Sequence, residues 1–173
     1  MDPHATAQGP LVVLLRGAPG VGKSTVAAML GEHGVVRAVI EVDAMRRLIL
    51  GIDWGDRRQH DAAIAAGARA AAEFAAAGLS PVLLVDCFGR DRAQRALELV
   101  RAAGAEAFVV SLWATPDVLR ARVAQRIDDY DDVEMALRIN AEMNAGNGAP
   151  INTSELTAQQ VVGLVRNQIE GRS

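Results

Sequence analysis

Residues 11–15, Leu-Val-Val-Leu-Leu, form an unbroken apolar run; residues 81–85 form a second, and residues 107–112 a third interrupted only by Ser111. Runs this short, with no polar alternation, predict strands buried on both faces, as in a parallel sheet. Residues 35–42 are rich in β-branched side chains and predict another strand. Residues 149–151 predict a short fifth, whose Pro150 suits a sheet edge or a strand start. The intervening stretches predict helices over about 23–33, 44–50, 57–77, 91–103, 116–126 and 155–170. Gly34, Gly78 and Gly104 stop three of them, Pro116 opens one, and Thr153 or Ser154 caps the last. Residues 1–9 read as a disordered lead-in, and residues 127–147 as a polar, acidic, partly helical segment. Strands alternating with helices predict one α/β domain with a parallel sheet and helices on both faces.

Between the first strand and the first helix lies Gly17-Ala18-Pro19-Gly20-Val21-Gly22-Lys23-Ser24, which fits G-x-x-x-x-G-K-[ST], a phosphate-binding loop. Its glycines allow backbone conformations that other residues resist. The loop N–H groups can then turn toward a phosphate chain, helped by the positive end of the helix that follows. Lys23 would reach the β- and γ-phosphates and the Ser24 hydroxyl would ligate Mg²⁺. The nucleotide-binding set is Gly17, Ala18, Pro19, Gly20, Val21, Gly22, Lys23, Ser24 and Thr25, with ATP and Mg²⁺ as cofactors.

The chain has 173 residues, enough for one domain with a substantial core. Half of it is hydrophobic but only 3% is aromatic, so alanine and valine supply the apolar mass. The formal charge of −3 speaks against nucleic acid as a partner. The single cysteine rules out an internal disulfide and agrees with a reducing cytoplasm. Residues 1–9 do not read as a signal peptide, and the alanine-rich stretch 61–78 is too polar to span a membrane. The expected location is cytoplasmic.

In a parallel α/β sheet, ligands bind outside the carboxyl ends of the strands. Residues 17–24, Asp43, Asp86 and residues 152–154 follow four of the strands and should meet at one crevice. Asp86 stands where a carboxylate would hold Mg²⁺ directly or through water; its alternative role is a helix cap. Asp43 would orient an acceptor hydroxyl and take its proton, or else merely cap the helix at 44–50. Which of the two acids is the base stays open. Arg46 and Arg47 could grip the acceptor; Trp54 could line its pocket, and Arg57 begins the long helix of the acceptor-holding insertion, about residues 44–79. Asp86 and Phe88, at the end of the third strand, complete the acceptor set. His60 reads as a surface residue, Cys87 as a small buried one, and Trp113 as packing. Arg122 and Arg126 share a helix face; one can stack on a base while Arg126, assigned as catalytic, reaches the phosphates as a lid over about 127–147 closes. Asp128, Asp129, Asp131, Asp132 and Glu134 crowd that lid around Tyr130. They are either a solvated loop or a patch that attracts a cationic acceptor.

Taken in order, the loop at 17–24, Glu41-Val42-Asp43-Ala44-Met45-Arg46, Val85-Asp86-Cys87-Phe88, residues 114–122 and Ile151-Asn152-Thr153-Ser154 are similar to the small P-loop phosphotransferases of the shikimate kinase, gluconate kinase and chloramphenicol phosphotransferase group. The resemblance spans almost the whole chain. It implies a three-layer P-loop fold with strand order 2-3-1-4-5, Asp43 as the base, and adenine held between Arg122 and the loop carrying Asn152 and Thr153. The chain departs from that pattern in its acidic lid, which lacks an Arg-Pro motif, and in having Asn152 where relatives often carry aspartate.

The expected activity is ATP-dependent transfer of the γ-phosphoryl group to a hydroxyl of a small molecule such as an antibiotic or sugar. One alternative is a GTPase-like switch, since Asp86-Cys87-Phe88-Gly89 spells D-x-x-G. A guanine-reading N-K-x-D segment is missing after the fourth strand, where Trp113-Ala114-Thr115-Pro116-Asp117 stands instead. A polynucleotide 5′-hydroxyl kinase shares the layout, and the acidic balance argues against it.

Overall fold

The computed structural model describes residues 9–125, 132–144 and 149–172. Along the chain run β1 (Leu11–Arg16), α1 (Lys23–Glu32), β2 (Ala38–Glu41), α2 (Val42–Arg46), α3 (Arg57–Ala76) and β3 (Val82–Asp86). They are followed by α4 (Arg90–Ala102), β4 (Glu106–Trp113), α5 (Pro116–Ala124), α6 (Val133–Asn144), β5 (Ile151–Asn152) and α7 (Ala158–Glu170). The strands pair in parallel in the order β2-β3-β1-β4-β5.

β1 is central, and its side chains alternate between two cores. Leu11, Val13 and Leu15 pack with α1, α5 and α7, whereas Val12 and Leu14 pack with α3 and α4. An apolar strand without alternation is the consequence of this two-sided burial. The alanines of the long helix have a packing reason. Ala63, Ala68, Ala71, Ala72 and Ala75 are buried against the sheet, and a Cβ on Gly67 would stand 3.2 Å from Leu84 Cδ1. Small side chains let α3 lie close on β2 and β3.

Several boundaries differ from the sequence expectation; α2, expected over 44–50, spans Val42–Arg46. β2 is shorter than residues 35–42, because the N–H groups of Val35 and Val36 donate to Leu30 O and close the end of α1. α7 starts at Ala158, capped by Thr157 through a reciprocal pairing with Gln160. Ser154 is used elsewhere, its hydroxyl accepting from Thr115 N at 2.7 Å.

Residues 133–144, expected to be partly helical, form α6, anchored on the domain. Ala136, Asn140 and Met143 are buried. Asn140 accepts from Ala114 N at 3.1 Å and donates to Ala114 O at 2.7 Å, tying α6 to the end of β4. No helix among the described residues is long and apolar enough to cross a membrane.

Candidate functional site

The register brings the carboxyl ends of β1 and β3 together: Arg16 is paired with Asp86, one residue before the phosphate loop begins. The loop then turns over itself. Gly17 has no room for a side chain, since a Cβ would meet Leu112 O at 2.8 Å. Gly20 and Gly22 have φ of 82° and 105°, the left-handed region that favours glycine. Lys23 begins α1, and its Nζ reaches back to donate to Gly17 O at 2.8 Å, Ala18 O at 3.0 Å and Cys87 Sγ at 3.2 Å. These contacts match the three donors of an ammonium group.

A cavity of about 380 Å³ opens beside this loop. Its lining includes Lys23 and Ser24 from α1, Glu41 at the end of β2, Asp43 and Arg46 from α2, and Asp86 from β3. Trp54, His60 from α3, Cys87, and Met135 and Ile139 from α6 complete its walls. Asp43 is exposed, and it does not cap α2; Glu41 precedes that helix, without a side-chain capping bond. Partial burial, and then the negative charge of Asp86, push the Asp43 carboxyl above its ordinary value, with Arg46, Arg47 and His60 opposing. Asp86 is buried, and its Oδ2 lies 2.7 Å from His60 Nε2. Burial pushes the Cys87 thiol up, against the pull of Lys23, which disfavours the reactive thiolate.

Arg46 is only 5% exposed. Its Nη2 donates to Asp53 O at 3.2 Å and Trp54 O at 2.9 Å, and its guanidinium lies 4.4 Å from the centre of the Trp54 ring. Its buried Nε has no hydrogen-bond partner among the described residues. Arg46 thus fixes the 53–54 turn that forms one wall of the cavity.

On the other side of the phosphate loop, a second cavity of about 260 Å³ is lined by Gly20, Val21, Gly22, Thr25, Arg122 and Thr153, with apolar residues of α7 and the segment before it. Arg122 donates to Thr153 Oγ1 at 2.9 Å and to Thr153 O at 2.8 Å, so its planar end is held rigidly.

The sequence-selected residues thus fall into distinct places. Pro19, Lys23, Ser24, Asp43, Arg46, Trp54 and Asp86 share the larger cavity, and Arg122 and Thr153 share the smaller one with the loop. Phe88 is fully buried in the core beneath α3 and α4 and is not part of the cavity lining. Arg47 is exposed and stands 5.8 Å from the Trp54 ring, outside the cavity lining, and Arg57 lines a neighbouring groove with Arg92 and Arg95. Asn152 lines neither cavity; its Oδ1 accepts from Ser154 N and the Ser154 hydroxyl in a local turn. Arg126, Asp128, Asp129, Tyr130 and Asp131 lie outside the described residues. Of the remaining acids in that group, Asp132 Oδ1 accepts from Met135 N at 2.8 Å at the start of α6, and Glu134 is exposed.

Two cavity residues run against the sequence reading. His60 is a partner of Asp86 rather than a surface residue, and half-buried Cys87 faces Lys23. The His60 signal was present in helical spacing, because residues 60, 64, 67 and 71 lie on one face of α3, and Ile64, Gly67 and Ala71 are buried. Nothing in the spacing of Cys87 pointed to Lys23.

The chain matches, over residues 12–147, a family model described as an AAA domain. Among solved structures, the tunicamycin resistance protein of Deinococcus radiodurans superposes with a TM-score of 0.68 at 23% identity, covering 94% of this chain and 96% of that one. A gluconokinase from Sinorhizobium meliloti 1021 gives 0.67 at 18% identity, covering 95% and 94%. The APS kinase CysC of Mycobacterium tuberculosis, solved in complex with AMPPNP and APS, gives 0.65 at 16% identity, covering 94% and 98%. At these identities the likeness is one of fold, and the fold is that of the P-loop kinases. None of the curated proteins matches the sequence.

Proposed function

Because the chain belongs to the AAA-domain family, and its phosphate loop opens onto a cavity with two acids, we propose that it is an ATP-dependent kinase that phosphorylates a hydroxyl of a small molecule. The observation that carries the reading is the shared cavity: Lys23 and Ser24 line it together with Asp43 and Asp86. A phosphoryl donor and a proton acceptor are needed side by side for this reaction, and little other covalent chemistry is asked of the protein.

In this reading the N–H groups of residues 17–24 and Thr25 cradle the phosphates. Lys23 turns from its present partners toward them; Cys87 Sγ, a weak acceptor, is the contact most readily given up. Arg122 and Thr153 form the wall of the base site in the smaller cavity. Asn152 supports that wall through its turn with Ser154. Asp43 accepts the proton of the acceptor hydroxyl, its raised pKa suiting it to that task. Arg46 and Trp54 form the acceptor wall, with Arg47 and Arg57 at its approaches. The insertion at 44–79 holds the acceptor, and Arg126, just ahead of the 127–147 segment, is the further cation assigned to the phosphates.

Mg²⁺ fits the donor set. The ion keeps several waters and phosphate oxygens around it and needs only one or two protein ligands. The Ser24 hydroxyl and the Asp86 carboxylate line one cavity, and no group of three or more His, Cys, Asp or Glu that could hold a metal alone is found among the described residues. Ser24 and Asp86 would hold it, and it would neutralise charge on the transferring phosphoryl group.

The test is ATP binding by calorimetry for the native chain and Lys23→Ala. Loss of one charge-assisted contact should weaken ATP about 10- to 100-fold in a folded variant. Equal affinity in the two proteins would refute the reading.

A further inference from the structure

His60 lies one turn inside α3, whose docking is fixed by the close approach of Gly67 to Leu84. That places its ring over the end of β3, where Nε2 stands 2.7 Å from Asp86 Oδ2. Both side chains are shielded: 15% of His60 and 4% of Asp86 is exposed. A carboxylate only accepts, so Nε2 carries the hydrogen of this bond. A carboxylate this buried would be costly without such a partner. The bond also leaves the two cavity acids unequal. One oxygen of Asp86 is committed to the ring, whereas among the described residues no hydrogen bond or ion pair ties down the carboxylate of the exposed Asp43.

We propose that His60 is a positioning residue: its Nε2–H holds Asp86 so that the free carboxylate oxygen serves the nucleotide-bound cation, leaving Asp43 as the acid that meets the acceptor. This rests on the nucleotide-site reading above. Groups that orient a metal-binding carboxylate commonly alter metal affinity 10- to 100-fold when removed. His60 therefore acts on the cation and leaves the phosphate loop's own grip on the nucleotide unchanged.

The experiment titrates AMPPNP into the native chain, His60→Leu and His60→Gln by calorimetry, across a Mg²⁺ series and in EDTA. The native chain should bind more tightly with Mg²⁺. His60→Leu should need roughly 10- to 100-fold more Mg²⁺ for the same gain, with affinity in EDTA within about twofold of native. His60→Gln, which keeps a donor near the same place, should recover much of the loss. A native Mg²⁺ response in His60→Leu, or equal damage in both variants, overturns the proposal.

The native protein supplies a second measurement if the leucine variant fails to fold. The His60 ring ¹⁵N resonances should shift with AMPPNP plus Mg²⁺ and stay unchanged with AMPPNP in EDTA. The same spectrum in both conditions overturns the proposal. Failure of the native chain to bind AMPPNP at all would remove the nucleotide reading and this inference with it. Binding with a Mg²⁺ response indifferent to His60 would remove this inference alone.

Discussion

Asp43 and Asp86 carry the same functional group and line the same cavity, yet their surroundings differ. Asp86 is buried and held by His60, while Asp43 is exposed and pushed up in pKa by partial burial and by Asp86. As the proposed base, Asp43 must be ionised, so the acid limb of kcat/KM should be displaced upward from the ordinary value for an aspartate. Asp43→Asn should still bind ATP with Mg²⁺ while turnover falls about 10²- to 10⁴-fold, the usual scale for losing a general base. Full activity in that variant would assign the role elsewhere. The raised pKa also bears on stability. Between the ordinary value of 3.8 and the raised one, folded Asp43 holds a proton that the unfolded chain has lost. Its contribution therefore falls as pH rises through that window, and ionised Asp43 is a net cost at neutral pH. Asp43→Asn should melt above the native protein at pH 7, with the gap closing when both are melted below the carboxylate range. A lower melting temperature at pH 7 would contradict this.

Elements whose signals are local were legible in the sequence, and contacts between distant elements were not. The apolar run at 11–15, the glycines and Lys23 announce β1, the loop and α1 within a single stretch. The end of β3 was placed at Asp86 because its apolar run stops there. The pairing of His60 with Asp86 joins residues 26 positions apart, as does that of Ala114 with Asn140. No local pattern encodes either. Phe88 shows the converse: its place next to the strand end suggested a site residue, but the chain turns it inward to a core between α3 and α4. α6 looked polar because its buried face relies on Asn140. Asn140→Ala should strand the N–H and C=O of Ala114 and cost about 1–3 kcal/mol. Denaturant unfolding reads this, and an unchanged midpoint would mean that α6 contributes little. At the other side of the loop, Arg122→Ala should weaken ATP binding about tenfold, equivalent to about 1.4 kcal/mol. Native affinity in that variant, measured by calorimetry, would show that the Arg122–Thr153 wall does not hold the base.

Across the whole molecule, parallel pairing lines up strand ends so that residues from β1 through α6 meet at one opening. The sheet order does this, and a core rich in alanine, valine and leucine holds it. Surface charge adds little to the account: the net charge is −3, and Asp132, one of the acids around residue 130, has a structural task at the start of α6. The central claim is that the shared cavity joins ATP to an acceptor hydroxyl through Lys23 and Asp43. Its most direct measurement follows label from [γ-³²P]ATP with Mg²⁺ into a panel of hydroxylated sugars, antibiotics, nucleosides and short oligonucleotides, using the native chain, Lys23→Ala and Asp43→Asn. The account predicts labelling of a small-molecule acceptor by the native chain, abolished in Lys23→Ala and reduced about 10²- to 10⁴-fold in Asp43→Asn. Labelling that persists undiminished in both variants, or that falls only on oligonucleotides, would contradict it.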